Sequence, residues 1–190
     1  ETIDDYARCA VLAKDAGYDA VEIMGSEGYL LNQFLCRRVN RRTDRWGGGP
    51  QERIRFIVAV LERVRARIGS SLALGIRISG KEFRHGGYDN LEMREMLYYI
   101  GETGLLDFAD IDVGHCWGAP SYVPSSYYEH GQFKECGKAA RADLDPKIKV
   151  LFSGRVNDPV LAEDLLKDGY CDLVGMVRAA IARLPQGQRQ

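Results

Sequence analysis

Three arginines stand at the ends of apolar runs. Arg77 closes the run at 72–78, Arg155 follows Gly154 after the run at 149–152, and Arg178 follows Val177 after the run at 172–176. A cation buried at such a position needs an anionic partner. For Arg77 one reading is a salt bridge to a carboxylate on a neighbouring strand. The other is contact with a bound group on which negative charge develops. Gly154–Arg155 and Val177–Arg178 have the chemistry of phosphate-binding turns. Backbone N–H groups at a helix start bind the anion, glycine allows close approach, and guanidinium adds planar paired hydrogen bonds. Ser153 adds a hydroxyl. A single Gly-Arg pair is equally a turn beside a surface charge; two pairs at successive strand ends point more strongly to phosphate.

Proton chemistry has its own candidates. The Tyr29 phenol can donate a proton or polarise a bound group; the plain alternative is a half-buried loop aromatic. Met24 and Glu27 precede it in the same stretch, and Met24 cannot donate a hydrogen bond. His115 and Cys116 begin a loop rich in aromatics: Trp117, Tyr122, Tyr127 and Tyr128. Such rings can form a substrate bowl that attracts methylated ammonium groups by cation–π interaction, or can pack as a compact surface loop. His115 is either part of that site or a loop histidine bonded to backbone. The five cysteines are odd in number and widely spaced, with no C-x-x-C pair. They offer no metal-ligand set and read as reduced thiols of a cytoplasmic protein.

These residues need a frame. The chain has 190 residues, 45% hydrophobic, with net charge −1, which suits one globular unit with a real core. The balance gives no electrostatic footprint for nucleic acid, and no apolar run is long enough to cross a membrane. No signal peptide is visible. Helical periodicity appears at 4–16, where Thr2 and Asp5 are spaced as a capping box, at 50–68, at 90–102 and at 160–167. Strands are expected at 20–24, 72–78, 108–113, 149–152 and 172–176, and a last helix near Arg178. Two irregular segments, 25–49 and 114–131, are long enough to be functional.

Alternating strands and helices allow an open doubly wound sheet or a closed barrel. The turn after the first strand, Met24-Gly25-Ser26-Glu27-Gly28-Tyr29, does not match the G-x-G-x-x-G of the open sheet. Polar residues or glycines at every strand end suit a barrel, whose site is assembled there. The expected fold is therefore an α/β, (β/α)8 TIM barrel, truncated, with about five of eight strands present.

The run Val21-Glu22-Ile23-Met24-Gly25-Ser26-Glu27-Gly28-Tyr29, continuing through Phe34-Leu35, resembles the strand-four signature of the old yellow enzyme family. So does Asn40-Arg41-Arg42-Thr43-Asp44-Arg45-Trp46-Gly47-Gly48, with Arg53 and Phe56 beyond. The resemblance covers essentially the whole chain and is nearest to the branch of 2,4-dienoyl-CoA reductase and trimethylamine dehydrogenase. It implies that residues 1–190 are the C-terminal part of an FMN-binding (β/α)8 barrel. Arg77 would contact the flavin, and Ser153, Gly154, Arg155, Val177 and Arg178 would hold its phosphate. Tyr29 and His115 would be catalytic, and Met24, Glu27, Trp117 and Tyr122 would face substrate. The segment 42–48 reads as structural.

The implied activity is hydride transfer between a small-molecule substrate and flavin. Oxidative demethylation or dehydrogenation of a methylated amine suits the aromatic loop and the missing hydrogen-bond clamp for an enone oxygen. Reduction of an activated C=C bond with NAD(P)H suits the Met24, Glu27 and Tyr29 pattern. A 4Fe-4S cluster and FAD would lie outside this chain, and the partners would be an electron-transfer protein or a second copy in a homo-oligomer. A non-flavin barrel would need a Schiff-base lysine or metal-binding carboxylates at strand ends; Lys81 has no evident acidic or basic helper. A non-catalytic remnant is the remaining alternative.

Overall fold

The structure is a computed structural model that describes residues 1–120 and 122–183. Ser121, in the middle of the aromatic loop, and residues 184–190 lie outside the described residues. Five parallel strands form one sheet: β1 (Ala20–Met24), β2 (Ala73–Ser79), β3 (Phe108–Asp112), β4 (Lys149–Ser153) and β5 (Leu173–Gly175). Their spatial order is their sequence order. A doubly wound sheet would reverse direction at a switch point; this one does not. Right-handed crossovers between successive parallel neighbours put the connecting helices on one side.

Burial separates the two faces. Leu74, Ile76, Ile78, Ala109, Ile111, Val150 and Phe152 all lie on the helix side and are fully buried. The register pairs Met24 with Arg77 and Arg77 with Asp110, so these side chains share the opposite face. That face carries Glu22, Met24, Arg77, Asp110, Asp112 and Ser153. Its lower rim holds Leu173, which is 48% exposed.

The helices follow from their apolar periods. The expected helix at 50–68 forms as α3 (Pro50–Arg53) and α4 (Arg55–Ile68), with Ile54 between them still in right-handed helical geometry. Ile57, Val60, Leu61, Val64 and Ile68 bury one face of α4, each contributing about 1.5–3 kcal/mol. Gly69, at φ 68°, ends it. The first helix, α1 (Thr2–Asp15), packs on α4. The expected capping box is absent there: Thr2 is already helical, Glu1 is the cap residue without a side-chain cap bond, and Asp5 pairs with Arg8 instead. Asp89 caps α5 (Asn90–Gly101) by accepting from the N–H groups of Leu91 and Glu92. Asp158 caps α7 (Pro159–Lys167) in the same way through Val160.

Two helices were not expected from periodicity: α2 (Leu30–Leu35), inside the first long segment, and α6 (Lys134–Arg141). The last helix, α8 (Arg178–Arg183), begins where expected. The segment 42–48 is held by its own bonds, with Arg42 paired to Asp44 and Asp44 Oδ1 accepting from the Trp46 N–H at 3.0 Å. No helix among the described residues is long and apolar enough to cross a membrane.

Candidate active site

All the candidate residues stand at the carboxyl ends of the strands. Beyond Met24, the Gly25 N–H donates to the Arg77 carbonyl at 2.8 Å, which ties the first turn to β2. Glu27 and Gly28 then take positive φ, 65° and 94°. This sharp turn lays Glu27 beside His115 in an isolated parallel bridge, with the Cys116 N–H donating to the Glu27 carbonyl at 3.2 Å. Gly28 has no alternative here: a Cβ would stand 2.5 Å from His115 Nε2.

Arg77 lies among four carboxylates. Its Nε is 3.2 Å from Asp112 Oδ2, 3.6 Å from Asp110 Oδ2 and 3.8 Å from Glu27 Oε1, and Nη1 is 3.9 Å from Glu22 Oε1. The ion-pair reading of Arg77 is thus realised. One cation does not neutralise four carboxylates, so protons remain in the cluster. Burial, then the neighbouring Asp112, pushes Glu27 up to about 7, although Arg77 pulls the other way. Asp110 and Asp112 are raised by burial too. Asp110 Oδ1 and Asp112 Oδ1 are buried without a hydrogen-bond partner among the described residues, which penalises the charged form of both carboxyl groups. Ser26 Oγ donates to the other Asp112 oxygen at 2.8 Å.

A cavity of about 490 Å³ opens beside this cluster, within the roughly 300–1,000 Å³ of small-molecule sites. Arg77, Arg155 and Arg178 all line it, with Ser153, Asp112 and Tyr122. The turns at Gly154, Gly175 and Val177 complete its wall. The two glycines also serve packing, since a Cβ would stand 3.0 Å from Phe152 Cζ at Gly154 and 2.9 Å from Ser153 Cβ at Gly175. Arg155 has φ 58°. Its Nε donates to the Tyr128 carbonyl at 3.1 Å, and Arg178 Nη2 donates to the Pro124 carbonyl at 2.9 Å. The loop after β3 is thereby fastened across both arginines.

His115 is buried. Its Nδ1 accepts from the Trp117 N–H at 3.1 Å, and Arg84 Nη1 stands 3.2 Å from Nδ1 and 3.0 Å from Nε2. Burial, then the Arg84 charge, lowers its pKa, so the imidazole is neutral at pH 7.

The sequence profile of the NADH:flavin oxidoreductase / NADH oxidase family matches residues 1–185. The chain belongs to this family. It is 34% identical over 183 residues to N,N-dimethylglycine/sarcosine dehydrogenase of Chromohalobacter salexigens, covering 95% of this chain and 26% of that protein. It is 30% identical over 187 residues to a multifunctional alkene reductase/demethylase of Caballeronia cordobensis, covering 95% and 26%. Among solved structures it superposes on 2-naphthoyl-CoA reductase in complex with 2-naphthoyl-CoA with TM-score 0.88 and 27% identity, covering 96% of this chain and 27% of that one. The chain spans about a quarter of the length of these relatives. The five strands and their helices are an arc of the TIM barrel that such flavin oxidoreductases share.

Against the family's FMN, the donor set fits. Two guanidinium groups and glycine turns at adjacent strand ends have the charge and close approach that a phosphate needs. Arg77 supplies a further cation to the same cavity. Other candidate residues lie elsewhere. Tyr29 is half exposed at the start of α2, next to Gly28 and its contact with His115. Trp117 is 83% exposed and Tyr127 96% exposed. Neither lines the cavity, because the loop bends its backbone rather than these rings toward the arginines. Of the expected aromatic bowl only Tyr122 reaches the wall. Sequence reasoning missed Glu22, Asp110, Asp112 and Arg84. The alternation Phe108-Ala109-Asp110-Ile111-Asp112 holds the signal for the two aspartates; nothing in the sequence signals Arg84.

Proposed function

We propose that this chain is the C-terminal part of the FMN-binding barrel of an oxidoreductase that moves hydride between a small organic substrate and flavin. The observation that carries it is the convergence of Arg77, Arg155 and Arg178 on one cavity at the carboxyl rim. Arg155, Arg178, Ser153 and the Gly154 turn hold the phosphate. Arg77 would face the flavin ring, and its charge, partly offset by the four carboxylates around it, would favour the reduced state. Bound FMN supplies the centre that accepts and gives hydride. Tyr29 and neutral His115 handle the proton on the substrate side. A 4Fe-4S cluster and FAD, where present, belong to other regions of a longer protein, and the five free thiols accord with work in the cytoplasm.

The first substrate reading is oxidation of a methylated amine. It is supported by the dehydrogenase relative at 34% identity and by Met24, which offers no proton to an enone oxygen. The second is reduction of an activated C=C bond with NAD(P)H as donor. One observation favours it: Glu27, pushed up to about 7, is protonated in a sizeable share of molecules at neutral pH and in that form can donate to a carbonyl oxygen.

Anaerobic stopped-flow with the full-length protein separates the two. Dimethylated amines bleach the oxidised flavin under the first reading, and enones or unsaturated thioesters re-oxidise the reduced flavin under the second. Arg155→Ala with Arg178→Ala is expected to weaken FMN binding at least about tenfold, since each lost charged hydrogen bond costs about 1.5–3 kcal/mol. Unchanged FMN affinity in that double variant would remove the basis of the reading.

A further inference from the structure

Arg77 faces more carboxylates than its hydrogens reach. Its Nε carries one hydrogen, and Asp112 Oδ2 accepts it at 3.2 Å. Asp110 Oδ2 at 3.6 Å and Glu27 Oε1 at 3.8 Å face the same nitrogen beyond hydrogen-bond reach, and Glu22 Oε1 lies 3.9 Å from Nη1. Among the described residues no other cation is paired with any of the four. The carboxyl groups also bond one another, Glu27 with Asp112 and Glu22 with Asp110. Ionised carboxylates only accept, so each such bond needs a proton on one partner. Two carboxyl pairs, each joining β1 or its turn to β3, therefore flank one guanidinium.

Asp112 is where this cluster meets the cavity, which it lines together with Arg77. It is 2% exposed. Its Oδ2 accepts from Ser26 Oγ at 2.8 Å, and its Oδ1 has no partner among the described residues, which leaves lone pairs for a proton. Tyr88, from the loop after β2, and Cys136, from α6, also feel its charge; burial pushes both up, and they stay neutral. We propose that Asp112 and its three carboxyl partners form a proton-loading site that follows the redox state of the flavin. The inference rests on the proposed function for the flavin itself. Hydride transfer brings two electrons and one proton to the ring and leaves it one negative charge richer. That charge draws on Arg77, so less of the guanidinium field is left for the carboxylates and their hold on protons tightens. A proton from water then binds a carboxylate oxygen of the cluster, and it returns to water when the electrons leave. No bond to carbon forms or breaks in this step. The buried charge is thereby kept nearly constant through both half-reactions.

Proton counting on the full-length flavoprotein tests it. The protein is photoreduced without oxygen in weakly buffered solution containing a pH-indicator dye. The work is done at about pH 8, above the value of about 7 to which burial pushes Glu27 and Asp110. Wild type is expected to take up roughly half a proton or more per FMN beyond Asp112→Asn, and Asp110→Asn to lower the uptake as well. Any other redox centre of the longer protein cancels in these differences. Equal uptake in wild type and both variants overturns the proposal. Reduced-minus-oxidised infrared difference spectra of the wild type need no variant. A carboxylic-acid band that appears on reduction and shifts in heavy water supports proton loading, and its absence overturns it. A protein that binds no FMN fails the proposed function and the coupling with it. A yellow protein whose uptake is the same in all three forms fails the coupling alone.

Discussion

At Glu27 a carboxyl group is folded against Asp112 and shielded from water, and only part of the Arg77 charge reaches it. Its affinity for a proton is raised to about 7, above the roughly 4.3 of a solvated glutamate. A folded state that binds a proton more tightly than the unfolded chain is stabilised below the unfolded pKa and loses that gain as pH rises through the folded value. Stability in urea is therefore expected to fall between about pH 4.5 and 7, and Glu27→Gln to make that fall shallower. An equally steep fall in the variant would assign the effect to Asp110 and Asp112 alone. The types of residue at this site were legible in the sequence: Glu27, Tyr29 and the three arginines stand in runs that mark strand ends. What those side chains touch was not. The carboxylate cluster arises because the register sets Arg77 level with Met24 and Asp110, with Glu22 and Asp112 one pleat away on the same face, and register between distant strands leaves no local trace.

The turn after β1 shows how an element constrains its residues. Gly28 combines φ 94° with a neighbour 2.5 Å from any added Cβ. Gly28→Ala is expected to cost about 1–3 kcal/mol, read as a lower urea midpoint. It should also shift the His115 titration seen by NMR, because the ring must give way and its contact with Arg84 changes. A variant with wild-type midpoint and an unmoved His115 would contradict the contact. Elements with large apolar side chains at helical spacing, α4 above all, were legible within a residue or two. The helix α6 was not, for a physical reason. Its buried face is Cys136, Gly137 and Ala140, and a Cβ at Gly137 would stand 2.8 Å from the Tyr170 carbonyl. A helix that docks by close approach of small residues shows no apolar stripe.

For the molecule as a whole, strand order was the part of the architecture most open to sequence reading. Repeated strand–helix cycles without a phosphate-loop signature favour a barrel, and the sheet runs β1 to β5 without reversal. Among the described residues the outer strands each have one neighbour, and in a closed barrel further strands would complete the cavity's far wall. The segment after β3 spans from His115 to the carbonyls of Pro124 and Tyr128, which clasp Arg178 and Arg155. One stretch of backbone thus carries His115, a proposed proton-handling residue, at one end and grips the candidate phosphate cradle at the other. Transplanting residues 114–131 from a relative to redirect substrate choice is expected to alter FMN dissociation as well, measured by flavin release on dilution; release at the parental rate would show the two ends to be independent. If the proposed function holds, selection on diet and selection on cofactor retention would act through the same eighteen or so residues, and variants evolved toward new compounds should carry compensating changes near Gly154 or Val177.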